Sequence, residues 1–368
     1  MQSSKKKIIV FQPYIGPYRI DFTNDLNDFF DAKFLFKIRG SNKLAFDCNK
    51  LLKEINYTPF YLPVGKDRQL VSVLRKEINQ VKPDVVITYE YDLKTLFVIL
   101  HRLFVRKKYK IIGMSDDSYD MIVGKGFSLR HKIARRIMAP FLDDVILVEP
   151  RVVDWYQNKF HIGYFFPIIR NDAIVRDKYR SVIKIKASVV ERYNLSNKYV
   201  FLYVGRLVAI KNVETLIKAY AKLNQSNTVL VIVGDGPEKS RLEQIVLELN
   251  ANAIFTGKLE GDELYVWYNI ANTFVLPSIL EPFGAVTNEA LLAGCNCLVS
   301  CKAGSQCLVE DGQNGYVIDP IKQEDIADKL EKSKTLPQAI FDKDGLRSNK
   351  MLQDYVTMRD ALLAHIVR

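Results

Sequence analysis

Two glutamates, Glu281 and Glu289, stand in the segment Pro277–Ala290, PSILEPFGAVTNEA. The segment follows an apolar run and contains Pro282 and Gly284, so it reads as a strand, a tight turn and the start of a helix. The first amides of a helix have no partner within it and carry partial positive charge, which suits a phosphate. Glu281 precedes the helix and Glu289 lies about a turn and a half into it, so the two carboxylates can reach different parts of one ligand. A second segment, Val204-Gly205-Arg206-Leu207-Val208-Ala209-Ile210-Lys211, also follows a strand. Its glycine permits a sharp turn, after which Arg206 and Lys211 flank the strand end. Two cations beside a helix end are what a diphosphate leaving group needs, because it gains charge as its bond breaks. Each residue alone also reads as a turn glycine, a surface cation or a helix-surface glutamate.

The elements that must position these groups alternate along the chain. Lys7–Phe11, Lys33–Phe36, Asp84–Thr88, Lys110–Gly113 and Asp144–Val148 read as short buried parallel strands, with helices such as Gln69–Val81 and Leu93–Arg106 between them. The rhythm restarts with Tyr199–Val204, Val229–Val233, Ala253–Phe255, Thr273–Leu276 and Cys297–Val299, separated by helices near Val213–Leu223, Glu238–Leu249 and Val286–Leu292. This predicts an α/β fold of two Rossmann-like, doubly wound domains facing across a cleft. The expected divisions are an acceptor-binding domain over 1–166, a nucleotide-sugar-binding domain over 167–347, and a final helix over 348–368 that crosses back to the first domain. The stretch Pro167–Ser196 reads as a polar, irregular linker.

The pair Glu281 and Glu289 lies inside EPFGAVTNEAL. YVGRL-x3-K stands upstream, and GDGP (Gly234–Pro237) lies between. FTGKLEGDELYVWY, NTFVLPS and VEDGQNGYVIDP also appear. Over about Tyr199–Pro320 the chain resembles the retaining glycosyltransferases of family 4 (glycosyl transferases group 1), which have the GT-B fold. The resemblance implies a nucleotide-sugar donor, UDP- or GDP-linked, and transfer with retention to a glycan or lipid-linked acceptor, as in capsule, lipopolysaccharide or other surface polysaccharide synthesis. It implies that Arg206 and Lys211 hold the donor diphosphate, with the backbone amides of Phe283 and Gly284 and close approach at Gly16. Glu281 would contact the transferred sugar, Glu289 the ribose hydroxyls, and Lys258 and Leu259 the nucleobase. Two departures stand out. The family's histidine near the donor sugar is replaced by Gly113-Met114-Ser115-Asp116-Asp117-Ser118, so Asp116 or Asp117 is expected in its catalytic place or as a loop cap; the chain's histidines, at 101, 131, 161 and 365, read as lying elsewhere. The family's Gly-Gly-x-x-Glu reads Ala303-Gly304-Ser305-Gln306-Cys307. The implied mechanism is front-face displacement, with the leaving phosphate taking the acceptor's proton. No metal and no cofactor are expected, since the cations and the helix end neutralise the diphosphate.

The chain has 368 residues and a net charge of +11. Residues 1–165 hold 28 Lys and Arg against 18 Asp and Glu, so the first half carries nearly all the excess. Within it, Arg102, Arg106, Lys107, Lys108, Lys110, Lys125, Arg130, Lys132, Arg135 and Arg136 cluster. Residues Phe127–Phe141 pattern as an amphipathic helix, with Leu129, Ile133, Ala134, Ile137, Met138 and Phe141 on one face and the cations on the other. That apolar face either packs on the core or lies on an anionic membrane. A nucleic-acid partner is not expected, because the basic residues lack an interleaved aromatic platform. No apolar run is long enough to cross a bilayer, so the expected place is the cytoplasm or, peripherally, the inner face of the cell membrane. Cys295, Cys297, Cys301 and Cys307 read as buried and unmetallated. An epimerase would need no acceptor and a glycan phosphorylase would need a pyridoxal-binding lysine; no signature of either occurs. An NAD-dependent oxidoreductase would need G-x-G-x-x-G, and Gly16 stands alone after the first strand.

Overall fold

Short runs of β-branched and aromatic residues form strands buried on both faces, which requires helices on each side of a parallel sheet. In the computed structural model the described residues are 5–37, 48–63, 67–105, 108–124 and 128–368. The strands are β1 (Lys7–Gln12), β2 (Asp31–Phe36), β3 (Phe60–Tyr61), β4 (Val85–Ile87), β5 (Lys110–Ser115), β6 (Asp144–Leu147) and β7 (Tyr164–Phe165), then β8 (Tyr199–Val204), β9 (Thr228–Val233), β10 (Ala253–Gly257), β11 (Thr273–Leu276), β12 (Asn296–Ser300) and β13 (Gly315–Ile318). They make two all-parallel sheets, in the orders β3-β2-β1-β4-β5-β6-β7 and β10-β9-β8-β11-β12-β13.

Residues up to Ile169, with Tyr355–Arg368, form the first unit, and Arg170–Asp354 form the second. The core of the first gathers Ile9, Phe11, Val86, Ile111 and Leu147; that of the second gathers Phe201, Tyr203, Leu230, Ile232 and Leu298. The final helix, Tyr355–Val367, is part of the first unit. It buries Tyr355, Leu362 and Ile366. Tyr355 donates to Asp25 at 2.5 Å, and His365 bonds Asp144 and stacks on Tyr164.

Three expectations need correction, and two short edge strands carried no sequence signal. The stretch Pro167–Ser196 is not an irregular linker: it holds helices Asp172–Ser181 and Ile183–Arg192, both packed on helix Asp262–Ile270. Asn171 caps the first of them, its side-chain oxygen accepting from the amides of Ala173 and Ile174. The edge strands β3 and β7 were too short to carry a period. Cys295 and Cys297 are buried and free, but Cys301 and Cys307 are half-buried. Last, helix Leu129–Met138 turns its apolar stripe outward: Leu129, Ile133 and Ile137 are exposed, as is Phe141 just beyond it, while Arg135 and Met138 are buried. Arg106, Lys107, Lys125 and Phe127 lie outside the described residues.

Candidate functional site

In the second sheet β8 lies beside β11, with β9 and β10 to one side and β12 and β13 to the other. The crossovers leave a crevice at such a point, outside the carboxyl ends of the strands, and ligands of open α/β sheets bind there. Arg206 follows β8, Lys211 ends the turn Ala209–Lys211, and Glu281 follows β11. Lys211 Nζ and Glu281 Oε2 form an ion pair, and Ser278 Oγ donates to the same oxygen at 3.5 Å. Arg206 is exposed, and its carbonyl accepts from the Tyr203 hydroxyl at 3.0 Å. Burial and then the nearby Glu281 carboxylate push Tyr203 well above the usual phenol range, and Arg206 opposes them. That hydroxyl is therefore a fixed donor across the physiological range.

Backbone contacts hold these loops. Asn212 takes the left-handed conformation at φ 56° and donates to Pro277 O at 3.2 Å and Pro320 O at 2.7 Å, which joins the loops after β8, β11 and β13. The GDGP glycines serve close packing: a Cβ on Gly234 would lie 1.9 Å from Gly205 O, and one on Gly236 would lie 2.3 Å from Leu207 O. Gly284 sits at φ 93°, where a Cβ would meet Leu276 at 2.6 Å. Helix Val286–Leu292 begins after it, and the amides of Thr287 and Asn288 donate to Gly284 O and Ala285 O, both at 3.0 Å. The amides of Phe283 and Gly284 stand outside that ladder. Phe283 itself is buried.

Glu289 lies within the helix, where its Oε2 accepts from the Tyr268 hydroxyl at 3.0 Å and its carbonyl from Tyr179 at 2.8 Å. Burial raises its pKa, while Arg170, Tyr268 and Lys178 pull it down. Glu281 and Glu289 thus differ in company: a cation holds the first, a phenol the second. Lys258 and Leu259 follow the edge strand β10, and Lys258 pairs with Glu260 at 2.7 Å.

The first sheet has its own reversal between β1 and β4. Gly16 follows β1 at φ −105°, so its glycine identity answers to space and not to a left-handed backbone: a Cβ would lie 3.2 Å from the Tyr18 ring and 3.3 Å from that of Tyr14. Tyr89 and Glu90 follow β4, and Asp116 and Asp117 follow β5. Asp116 pairs with the buried Arg19 and accepts from Tyr89 at 2.9 Å. Asp117 is buried 3.7 Å from Arg135. Burial pushes it up to about 6, with Ser115 and Arg135 opposing and Asp116 adding. Burial and then Asp117 push Glu90 up to about 9. His131 Nε2 stands 3.9 Å from Glu90 Oε2, and burial and Arg135 lower its pKa.

The histidines therefore do not all lie away from the aspartate loop. Glu90, Asp117 and His131 offer atoms within 4.8 Å of one another, the one such trio among the described residues that could hold a metal ion. The Arg135 guanidinium already supplies a positive charge to that trio. His131 and Arg135 sit four apart on one helical face, and that spacing was the available signal. The amphipathic pattern hid it, because it assigned every cation of the helix to solvent. Tyr89 and Glu90 carried the signal of standing just after a central strand.

With this geometry in place, likenesses to known proteins can be set beside it. The family model described as glycosyl transferases group 1 matches residues 188–343. The chain is 32% identical over 151 residues to the alpha-D-kanosaminyltransferase of Streptomyces kanamyceticus, covering 40% of this chain and 39% of that protein. It is 37% identical over 119 residues to the GDP-mannose-dependent alpha-mannosyltransferase of Corynebacterium glutamicum, covering 32% of this chain and 27% of that one. The chain thus spans well under half the length of the curated relatives it matches. The structure of Anabaena HepE in complex with UDP superposes with a TM-score of 0.77 at 17% identity, covering 98% of this chain and 99% of that one. That likeness establishes the fold.

Proposed function

We propose that the chain is a glycosyl transferase of group 1, the family whose model matches residues 188–343, and that it moves a sugar from a UDP- or GDP-linked donor to a glycan or lipid-linked acceptor with retention. The observation that carries the donor reading is the grouping of Arg206, the Lys211–Glu281 ion pair and the amides of Phe283 and Gly284 at the carboxyl ends of β8 and β11. A diphosphate placed there competes with Glu281 for Lys211. Once Lys211 turns to phosphate, the Glu281 carboxylate is released toward the sugar hydroxyls, so donor binding itself arms the sugar-contacting group. The bond from the anomeric carbon to the phosphate oxygen then breaks as the bond to the acceptor oxygen forms. The acceptor's proton passes to the leaving phosphate, whose charge Arg206 and Lys211 stabilise.

Glu289 reaches the ribose hydroxyls by exchanging its bond from Tyr268, and Lys258 and Leu259 meet the base. In the first unit, Asp116, held by Arg19 and Tyr89, or Asp117 takes the catalytic place that the family gives to a histidine near the donor sugar. No metal takes part in this reading. A relative's name speaks of GDP-mannose and a neighbour's title of UDP. Both nucleotides therefore belong in the experiment: release of UDP or GDP from a panel of nucleotide sugars, with and without lipid-linked acceptor. Release stimulated by acceptor supports transfer. No release from any donor, with tight nucleotide binding retained, removes it. An acceptor carried on lipid places the enzyme at a membrane surface of the cell's interior.

A further inference from the structure

A surface on the first unit breaks the ordinary rule of helix orientation. Helix Leu129–Met138 is amphipathic, and such a helix normally sends its apolar stripe to the core. Here Leu129 is 73% exposed, Ile133 49% and Ile137 57%. Helix Leu93–Phe104 lies against it and is apolar on both faces: Phe97, Val98 and Ile99 are buried in the core, while Leu96, Leu100, Leu103 and Phe104 turn outward, Phe104 being 87% exposed. Arg102 ties the two together by donating to Phe141 O at 2.5 Å. Two adjoining stripes of large aliphatic and aromatic side chains thus face outward on one unit, an arrangement that marks a binding face.

The charge around the stripes selects the occupant. No Asp or Glu occurs anywhere in residues 93–115 or 121–142. Arg130 and Arg136 are exposed on the helix that carries Leu129, Ile133 and Ile137, and Lys108 is exposed just beyond the other helix. A second copy of the chain, placed symmetrically, would set these cations against their own equivalents. An anionic bilayer matches both components, taking apolar side chains below the headgroups and cations at their level.

We propose that the outward face of helices Leu93–Phe104 and Leu129–Met138 docks on anionic membrane, with Leu129, Ile133, Ile137 and Phe104 entering the interface and Arg130 and Arg136 meeting lipid phosphates. This names the face for the membrane placement argued above and rests on that reading. It differs from attachment by charge alone, because the apolar side chains enter the bilayer.

The test is co-sedimentation of the full chain with vesicles of phosphatidylglycerol and phosphatidylcholine, against pure phosphatidylcholine, at low and high salt and without donor. The wild type should bind anionic vesicles about tenfold more tightly than neutral ones and keep part of that binding at high salt. Leu129→Ser, Ile133→Ser and Ile137→Ser together should lower it about tenfold while leaving UDP and GDP binding unchanged. Arg130→Ser with Arg136→Ser should abolish the salt-sensitive part alone. In a separate variant, Ile133→Trp should show blue-shifted emission on adding anionic vesicles. Wild-type binding by the triple serine variant, with no Trp shift, overturns the assigned face while sparing membrane placement. Failure of the wild type to bind any vesicle overturns both. Dimerisation in solution that the triple variant abolishes assigns the face to a second copy and also overturns the proposal. Donor turnover is read separately, so none of these results bears on transfer.

Discussion

Two sheets of one design carry two differently built sites. Both are parallel, and both present their functional side chains on loops at the carboxyl ends of strands flanking a reversal. In the second unit those loops are held mainly through main-chain atoms: glycines at 234, 236 and 304 allow backbones to touch, and the Asn212 side chain joins three loops by donating to two carbonyl oxygens. Its charged groups are few: Arg206 is exposed, and Lys211 and Glu281 form one largely buried pair that a competing phosphate can open. In the first unit the loops are held by side chains, and the ionisable groups are themselves the packing: Arg19, Asp117 and Arg135 are all buried. A site framed by backbone can exchange ion pairs freely. A site framed by buried charges ties its protonation to its stability.

The largest effect that would test this contrast is on turnover. Glu281→Gln should lower sugar transfer by about 10²- to 10³-fold while nucleotide affinity changes by less than about threefold. Lys211→Ala should weaken nucleotide binding as well, because it removes a cation from the diphosphate. Equal losses of binding in both variants, by calorimetry, would mean that the ion pair acts as one structural unit.

Next in size is the backbone framework. Gly234→Ala should destabilise the second unit by about 3 kcal/mol or more, since its Cβ would lie 1.9 Å from a carbonyl oxygen that cannot yield cheaply. Denaturant unfolding measures it, and a loss under about 1 kcal/mol would show that the loops after β8 and β9 can part.

A smaller effect separates the units by pH. The Glu90 pKa rises from 4.5 to about 9 on folding, so the folded state holds a proton that the unfolded state has released. The first unit should therefore lose stability as pH climbs from about 4.5 to about 9. Asp117, raised from 3.8 to about 6, adds the same sign at lower pH. His131, lowered from 6.5, opposes it only near and below its ordinary value. Glu90→Gln should flatten the alkaline limb and raise the midpoint of thermal unfolding at pH 9 by a few degrees, about 1 kcal/mol. An unchanged alkaline limb would place the proton elsewhere.

The smallest expected effect is at Lys258. Its side chain pairs with Glu260 at the surface. Lys258→Ala should move stability by less than about 0.5 kcal/mol and nucleotide affinity by less than about threefold, since main chain is expected to meet the base. A tenfold loss of affinity would give the ammonium group a direct role.

The same contrast explains what could be read from residue order. The second unit was legible because its site is made of contiguous segments: strand, glycine turn and helix follow one another in VGRL and EPFGAVTNEA, and local rules apply to each. The pairing of Lys211 with Glu281 was not legible, since it depends on which loops the sheet order makes neighbours. In the first unit, Asp116 and Asp117 stood out after a strand, but their partners come from three other places: Arg19, Tyr89 with Glu90, and His131 with Arg135. Nothing local marks those as one cluster. The outward apolar stripe at Leu129–Ile137 was equally hidden, because a hydrophobic period fixes that a helix has two faces without saying which one meets the core.

The final helix belongs to the unit that the ribosome makes first. Tyr355, Leu362 and Ile366 fill a place on the opening domain, and Arg170–Asp354 must be synthesised before they emerge. During translation the second unit can complete its sheet from its own contiguous chain, while the first waits with an unfilled apolar seat and an unmatched Asp25. Truncation before Tyr355 would leave the second unit whole and deprive the first of the side chains that cover its apolar seat.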